Sequence, residues 1–125
     1  MKRKKRTNGM ISGFKKLFES QVKFQKLVTG DDNLPRDNTY GFSYHVQAMV
    51  EEMGEVMKAD KRWKTHRNTR YCPDEKLDEL ADVFITAMNM AIHSGFSYQK
   101  IEEAIYLKIQ NNFGRLEEKN NDSNC

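Results

Sequence analysis

Most of the patterns that would reveal a chemistry at sight are missing from this chain of 125 residues. It has only two cysteines, Cys72 and Cys125, with no paired spacing. A disulfide scaffold is therefore not expected, and a reducing, cytoplasmic setting is. No apolar run approaches the ~18 residues of a membrane span, so no membrane partner is expected. No apolar leader region follows the basic start. The Gly-x-x-x-x-Gly-Lys-Ser/Thr phosphate loop is absent, and so are the zinc-deaminase and Ser-His-Asp constellations. No His stands three residues after a Glu, which a di-iron carboxylate bundle needs on two of its helices. Strand signals, repeats and low-complexity blocks are also missing. One intracellular domain built from helices alone is what this length and pattern allow.

Charge of one sign is concentrated at one end. Lys2, Arg3, Lys4, Lys5 and Arg6 form a basic run, and removing these five from the formal +3 leaves −2. Residues 1–13 read as a disordered, solvated tail, with at most a weak nucleic-acid contact. The rest of the chain is not a basic nucleic-acid binder.

Periodicity predicts four helices between this tail and a polar C-terminal segment at 119–125. The first runs from Phe14 to Val28, carrying Phe14, Leu17, Phe18, Val22 and Phe24. Thr29 to Asn38 gathers turn formers and Pro35 into a loop. The second helix begins near Ser43 and continues past Lys58 towards Trp63. After a break over residues 65–73, the third opens at Pro73-Asp74-Glu75, acidic where the helix dipole favours it, and closes at Ser94-Gly95. Ser97 is the expected N-cap of the fourth, which runs to about Glu118.

Against this helical background stand two acidic clusters: Glu51-Glu52-Met53-Gly54-Glu55, and Glu79-Leu80-Ala81-Asp82. Carboxylates three apart share a helix face. Two such pairs on facing helices place hard oxygen donors around a small volume, which suits Mg²⁺, with Mn²⁺ as a substitute, and a substrate phosphate. A solvated acidic face is the bland alternative, and the third helix speaks against it. Apolar residues occupy nearly its whole circumference, so it is expected to be buried, with Glu79, Asp82, Thr86, Asn89 and His93 in one line spaced 3, 4, 3, 4. On the second helix, Ala48, Glu52, Glu55 and Ala59 form a line in which small residues allow close approach. Phe42, Val46, Met49, Val50, Met53, Val56 and Met57 form its main apolar stripe. Glu51 projects about 100° away from Glu52. Gly54 inside the helix is expected to mark a close contact. The fourth helix carries Lys108, Asn112 and Arg115 along one line, suited to polyphosphate. Trp63 is read either as core or as a stacking platform for a base.

These residues resemble the all-α nucleoside triphosphate pyrophosphohydrolases, the superfamily of MazG proteins, dimeric dUTPases and phosphoribosyl-ATP pyrophosphohydrolase. Glu51, Glu52 and Glu55, followed by Glu79 and Asp82, match the Glu-Glu-x-x-Glu and Glu-x-x-Asp motifs. Lys108, Asn112 and Arg115 match Lys-x-x-x-Asn-x-x-Arg, and the likeness covers residues 14–116. It implies a MazG-type four-helix domain over residues 14–118, completed as a homodimer or homotetramer. The implied activity is Mg²⁺-dependent hydrolysis of a nucleoside triphosphate to the monophosphate and pyrophosphate. It implies Glu52, Glu55, Glu79 and Asp82 as metal ligands, and Glu51 or Glu55 as the base. Lys108, Asn112 and Arg115 would hold phosphates, and Asn89 and Trp63 would touch substrate. Base recognition is expected in Gln21 to Gly41 and around Trp63 to Tyr71. A non-enzymatic helical adaptor, docking through the polar line and the basic tail, is the competing reading.

Overall fold

Four helices are present in a computed structural model that describes residues 13–66 and 70–123. They are α1 (Gly13–Thr29), α2 (Thr39–Asp60), α3 (Pro73–Ile92) and α4 (Tyr98–Ser123). Among the described residues no strand forms; a single antiparallel bridge joins Asp37 to Ser94. The chain is all-α. The basic run of the first residues lies outside the described residues, as does Cys125.

The helix ends follow local chemistry. Asn38 caps α2, its side chain accepting from the Gly41 amide at 3.3 Å, so the helix starts at Thr39 rather than near Ser43. It stops at Asp60 instead of reaching Trp63, because Lys61 turns left-handed at φ 65°. Asp60 then grips the Arg62 amide and guanidinium beyond the break. Pro73 opens α3 with Asp74 and Glu75 in the first turn, as expected. Ser97 accepts from the Lys100 amide at the start of α4. That helix continues to Ser123, past the expected end at Glu118.

The core is small and lies at one end. Phe18, Leu34 and Ile92 are buried, with Phe14, Val22, Met88, Ala91 and Tyr98 packed around them. Here α1 crosses the C-terminal end of α3. The 30s loop is stitched to the same end: Arg36 and Asn38 amides donate to the Ile92 and His93 carbonyls. Gly95 permits this seam, since its φ is +83° and a Cβ there would lie 3.1 Å from the Asp37 amide nitrogen.

Along its length α3 packs chiefly against α2, and α4 rests on α1. The small-residue line of α2 faces α3, as the burial of Ala59 shows, and its large apolar stripe points outward, with Val50 and Met53 exposed. Two expectations are overturned. α3 is not buried all round: Leu77 and Phe84 lie open, because α1 covers only its last turns. A Cβ at Gly54 would meet nothing within 4 Å among the described residues, so close approach within the chain does not account for it. The tight glycine is Gly41, where a Cβ would run into the imidazole of His93.

Candidate active site

Glu52 sits mid-way along α2 on the face that meets α3, and Glu79 and Asp82 stand one turn apart in the first half of α3. Because the two helices pack side by side, one carboxylate oxygen from each of the three lies within 4.8 Å of the others. Glu52 and Glu79 are half-buried and Asp82 is exposed, so the cluster has a wall and an open mouth. No ion pair among the described residues neutralises any of them. The consequence is visible at Glu52. Burial, then the charges of Asp82, Glu51, Glu79 and Glu55, push its carboxyl above the ordinary value of 4.5. Three hard oxygens, mutually repelling and without a counter-charge, fit a divalent cation in the size and character of their donors.

The other acids of the motif stand apart. Glu55 is half-buried but falls outside the trio, and its carboxylate reaches Lys58 at 3.6 Å. Glu51 is exposed on a different face of α2. Of the four expected ligands, the fold brings three together and leaves Glu55 beside them.

The polar line of α3 changes role along the helix. Its acidic half faces the cleft with α2, while Thr86, Asn89 and His93 are buried. Thr86 donates to the Asp82 carbonyl at 2.8 Å. Asn89 Oδ1 accepts from Gln21 Nε2 at 2.8 Å, and His93 Nε2 pairs with Gln25 Oε1 at 2.9 Å. Gln21, half-buried, and Gln25, buried, one turn apart on α1, thus form a polar seam with α3. Sequence reasoning missed Gln25, although two glutamines four apart amid apolar residues were a signal. The Gln21 bond occupies Asn89 Oδ1 and leaves its Nδ2 amide as the group that could still donate to a substrate.

Trp63 is exposed rather than core; its indole N–H donates to the Met57 carbonyl at 2.9 Å, which fixes the ring just beyond α2. Around it the connection to α3 is held by charge. Asp60 binds Arg62 and, at 2.6 Å, Lys76, and these cations hold its carboxyl far below the usual range. The Arg62 guanidinium lies 3.7 Å over the Tyr71 ring. An open groove of about 390 Å³ follows, lined by Lys61, Arg70, Tyr71, Cys72, Pro73 and Glu75. Glu75 is one turn before Glu79, so this groove adjoins the acidic cleft.

Lys108, Asn112 and Arg115 are all exposed on α4, which packs on α1. Within one chain, these residues are not brought to the acids.

No curated protein and no solved structure matches the chain. A family model described as dUTPase matches residues 13–123, a stretch that contains all four helices and both acidic pairs. With that span matched and the all-helical fold in place, the chain belongs to the dUTPase family of the all-α, MazG-like kind.

Proposed function

We propose that this protein is a Mg²⁺-dependent nucleoside triphosphate pyrophosphohydrolase, releasing pyrophosphate and the nucleoside monophosphate. Family membership implies a hydrolase acting on nucleotides. The family's description makes deoxyuridine triphosphate the first substrate to test. The observation that carries the reading is the convergence of Glu52, Glu79 and Asp82 without a counter-charge.

In this reading Glu52, Glu79 and Asp82 hold the cation. When bound, a divalent ion supplies charge that polarises a phosphoryl oxygen and makes a bound water more acidic. Glu55, half-buried on the same side of α2, is better placed than exposed Glu51 to accept the proton of the attacking water. Trp63, anchored by its N–H and open on its ring, offers a stacking surface for the base. Lys108, Asn112 and Arg115 supply phosphate contacts, with Arg115 able to bind two oxygens at once. A homodimer or homotetramer is the assembly proposed.

Purified protein should release pyrophosphate from at least one of the eight common (deoxy)nucleoside triphosphates with Mg²⁺, and none in EDTA. Orthophosphate as the primary product would refute the pyrophosphohydrolase assignment. No hydrolysis of any nucleotide would favour the adaptor.

A further inference from the structure

Where α2 ends and α3 begins, charges of both signs crowd together. Lys58 reaches Glu55 at 3.6 Å, Lys61 reaches Glu75 at 3.6 Å, and Arg62 and Lys76 both bind Asp60. Each of these four cations is taken by an acid outside the trio of Glu52, Glu79 and Asp82. Lys76 is the one whose place makes this matter. It stands three residues before Glu79 on α3, a spacing at which helix side chains meet, with Cβ atoms about 5–6 Å apart. Helical Cα–Cβ bonds tilt towards the N-terminus, so Glu79 leans back towards Lys76. Three carboxylates without a counter-charge attract an ammonium within that reach. Yet Lys76 Nζ donates to Asp60 Oδ2 at 2.6 Å, across the helix pair.

Asp60 is well equipped to hold it. As the last residue of α2 it lies opposite the first turn of α3. Its Oδ1 accepts from Arg62 Nε at 2.8 Å and from the Arg62 amide at 3.2 Å. Its Oδ2 accepts from Arg62 Nη2 at 2.9 Å as well as from Lys76. These bonds fix the carboxylate in one orientation. The Tyr71 ring lies beside both cations, its centroid 3.7 Å from the guanidinium carbon and 5.8 Å from Lys76 Nζ. The Lys76 and Asp60 side chains are 28 and 18% exposed, so solvent and salt screen this pair less than the more open pairs of Lys58 and Lys61.

We propose that Asp60 is a positioning residue for the cation site: by holding Lys76 across the α2–α3 end, it keeps that ammonium from neutralising Glu79 and leaves the trio available to a divalent ion. The proposal rests on the trio being the metal site and adds the residue that keeps the chain's own cation out of it. A bridge that served only to pair the helices would fail in the same way whichever partner were removed. A bridge that sequesters Lys76 fails only when the lysine is set free.

Calorimetric titration with Mg²⁺, without nucleotide, separates the two. Asp60→Asn frees Lys76 and should weaken Mg²⁺ binding roughly 3- to 10-fold, the range expected for an ammonium competing through one or a few partly exposed ion pairs. Lys76→Met breaks the same pair without freeing a cation and should stay within about twofold of wild type. The double variant Asp60→Asn, Lys76→Met should return to the Lys76→Met value. Equal losses in the two single variants, or a double variant as weak as Asp60→Asn, would overturn the proposal. A second readout needs no metal. Zero-length carbodiimide coupling in metal-free buffer, read by peptide mass spectrometry, should join Lys76 to Asp60 in the wild type and Lys76 to Glu79 in Asp60→Asn. Absence of the Lys76–Glu79 link in that variant would overturn it equally. Should the wild type bind no divalent ion, the metal reading fails, while the coupled pair still decides where Lys76 goes.

Discussion

At the scale of single residues, Glu52 reports the strain of the acidic cleft. Its carboxyl titrates above 4.5 in the folded chain, so the folded state holds its proton to a higher pH than the unfolded state does. Stability of the metal-free protein therefore falls as pH rises through that window, and the loss persists above it. Glu52→Gln should remove this part of the pH dependence in EDTA melts compared at pH 4.5 and 7. Mg²⁺ at neutral pH should raise the wild-type melting temperature. Glu79→Ala should abolish turnover yet leave the EDTA melt unchanged or slightly higher, because it relieves repulsion. A marked fall in that melt would make Glu79 a structural salt-bridge partner. Arg115 belongs to a different task. Charged hydrogen bonds contribute about 1.5–3 kcal/mol each, so Arg115→Ala should lower kcat/KM roughly 10- to 100-fold. Mg²⁺ affinity without nucleotide should be unchanged. Arg115→Lys should rescue only in part, since a point charge lacks the guanidinium fork. Unaltered kinetics in Arg115→Ala would reduce the α4 line to a solvated face.

At the scale of elements, the junction of α1, α2 and α3 is stitched by polar groups rather than oil. Gln25 fixes His93 through Nε2, leaving Nδ1 buried without a partner and facing Gly41. His45 stacks on His93 with ring centroids 5.0 Å apart. Burial pushes the pKa of both imidazoles below 6.5; the charge of His93 adds to the effect at His45, and nearby Asp31 partly opposes it at His93. A depressed value in the folded state means that stability is fully present above 6.5 and is lost as pH falls through that value towards the folded one. Urea midpoints measured from pH 7.5 down to 5 should decline, and His45→Gln should blunt the decline. Gly41→Ala drives a methyl group into the His93 ring and should cost about 1–3 kcal/mol in the same assay. A neutral result would mean that α2 can shift away from α3 at no expense.

At the scale of the whole molecule, two apolar stripes remain uncovered in one chain, on α2 and on α4. Exposed apolar surface of this extent marks an interaction site. Light scattering at micromolar concentration should report at least a dimer, and Phe113→Glu on the α4 stripe should shift it towards monomer with loss of turnover. A wild-type monomer with full activity would refute self-association.

The helices could be read from the chain because each records its own periodicity and punctuation: Pro73 opens α3, Ser97 caps α4, and Phe14, Phe18 and Val22 mark the face of α1 that packs. Spacing also paired Glu79 with Asp82, since residues three apart share a face wherever the helix lies. Local pattern could not show which helix meets which. The apolar stripe of α2 was legible as a stripe, but hydrophobicity does not name the surface that covers it. Only the packing of the helices put Glu52 beside Glu79 and Asp82, enclosed His93 behind Gly41 and parted Arg115 from the acids. Those are through-space relations between segments far apart in the chain, and they exist only once the helices have chosen their neighbours.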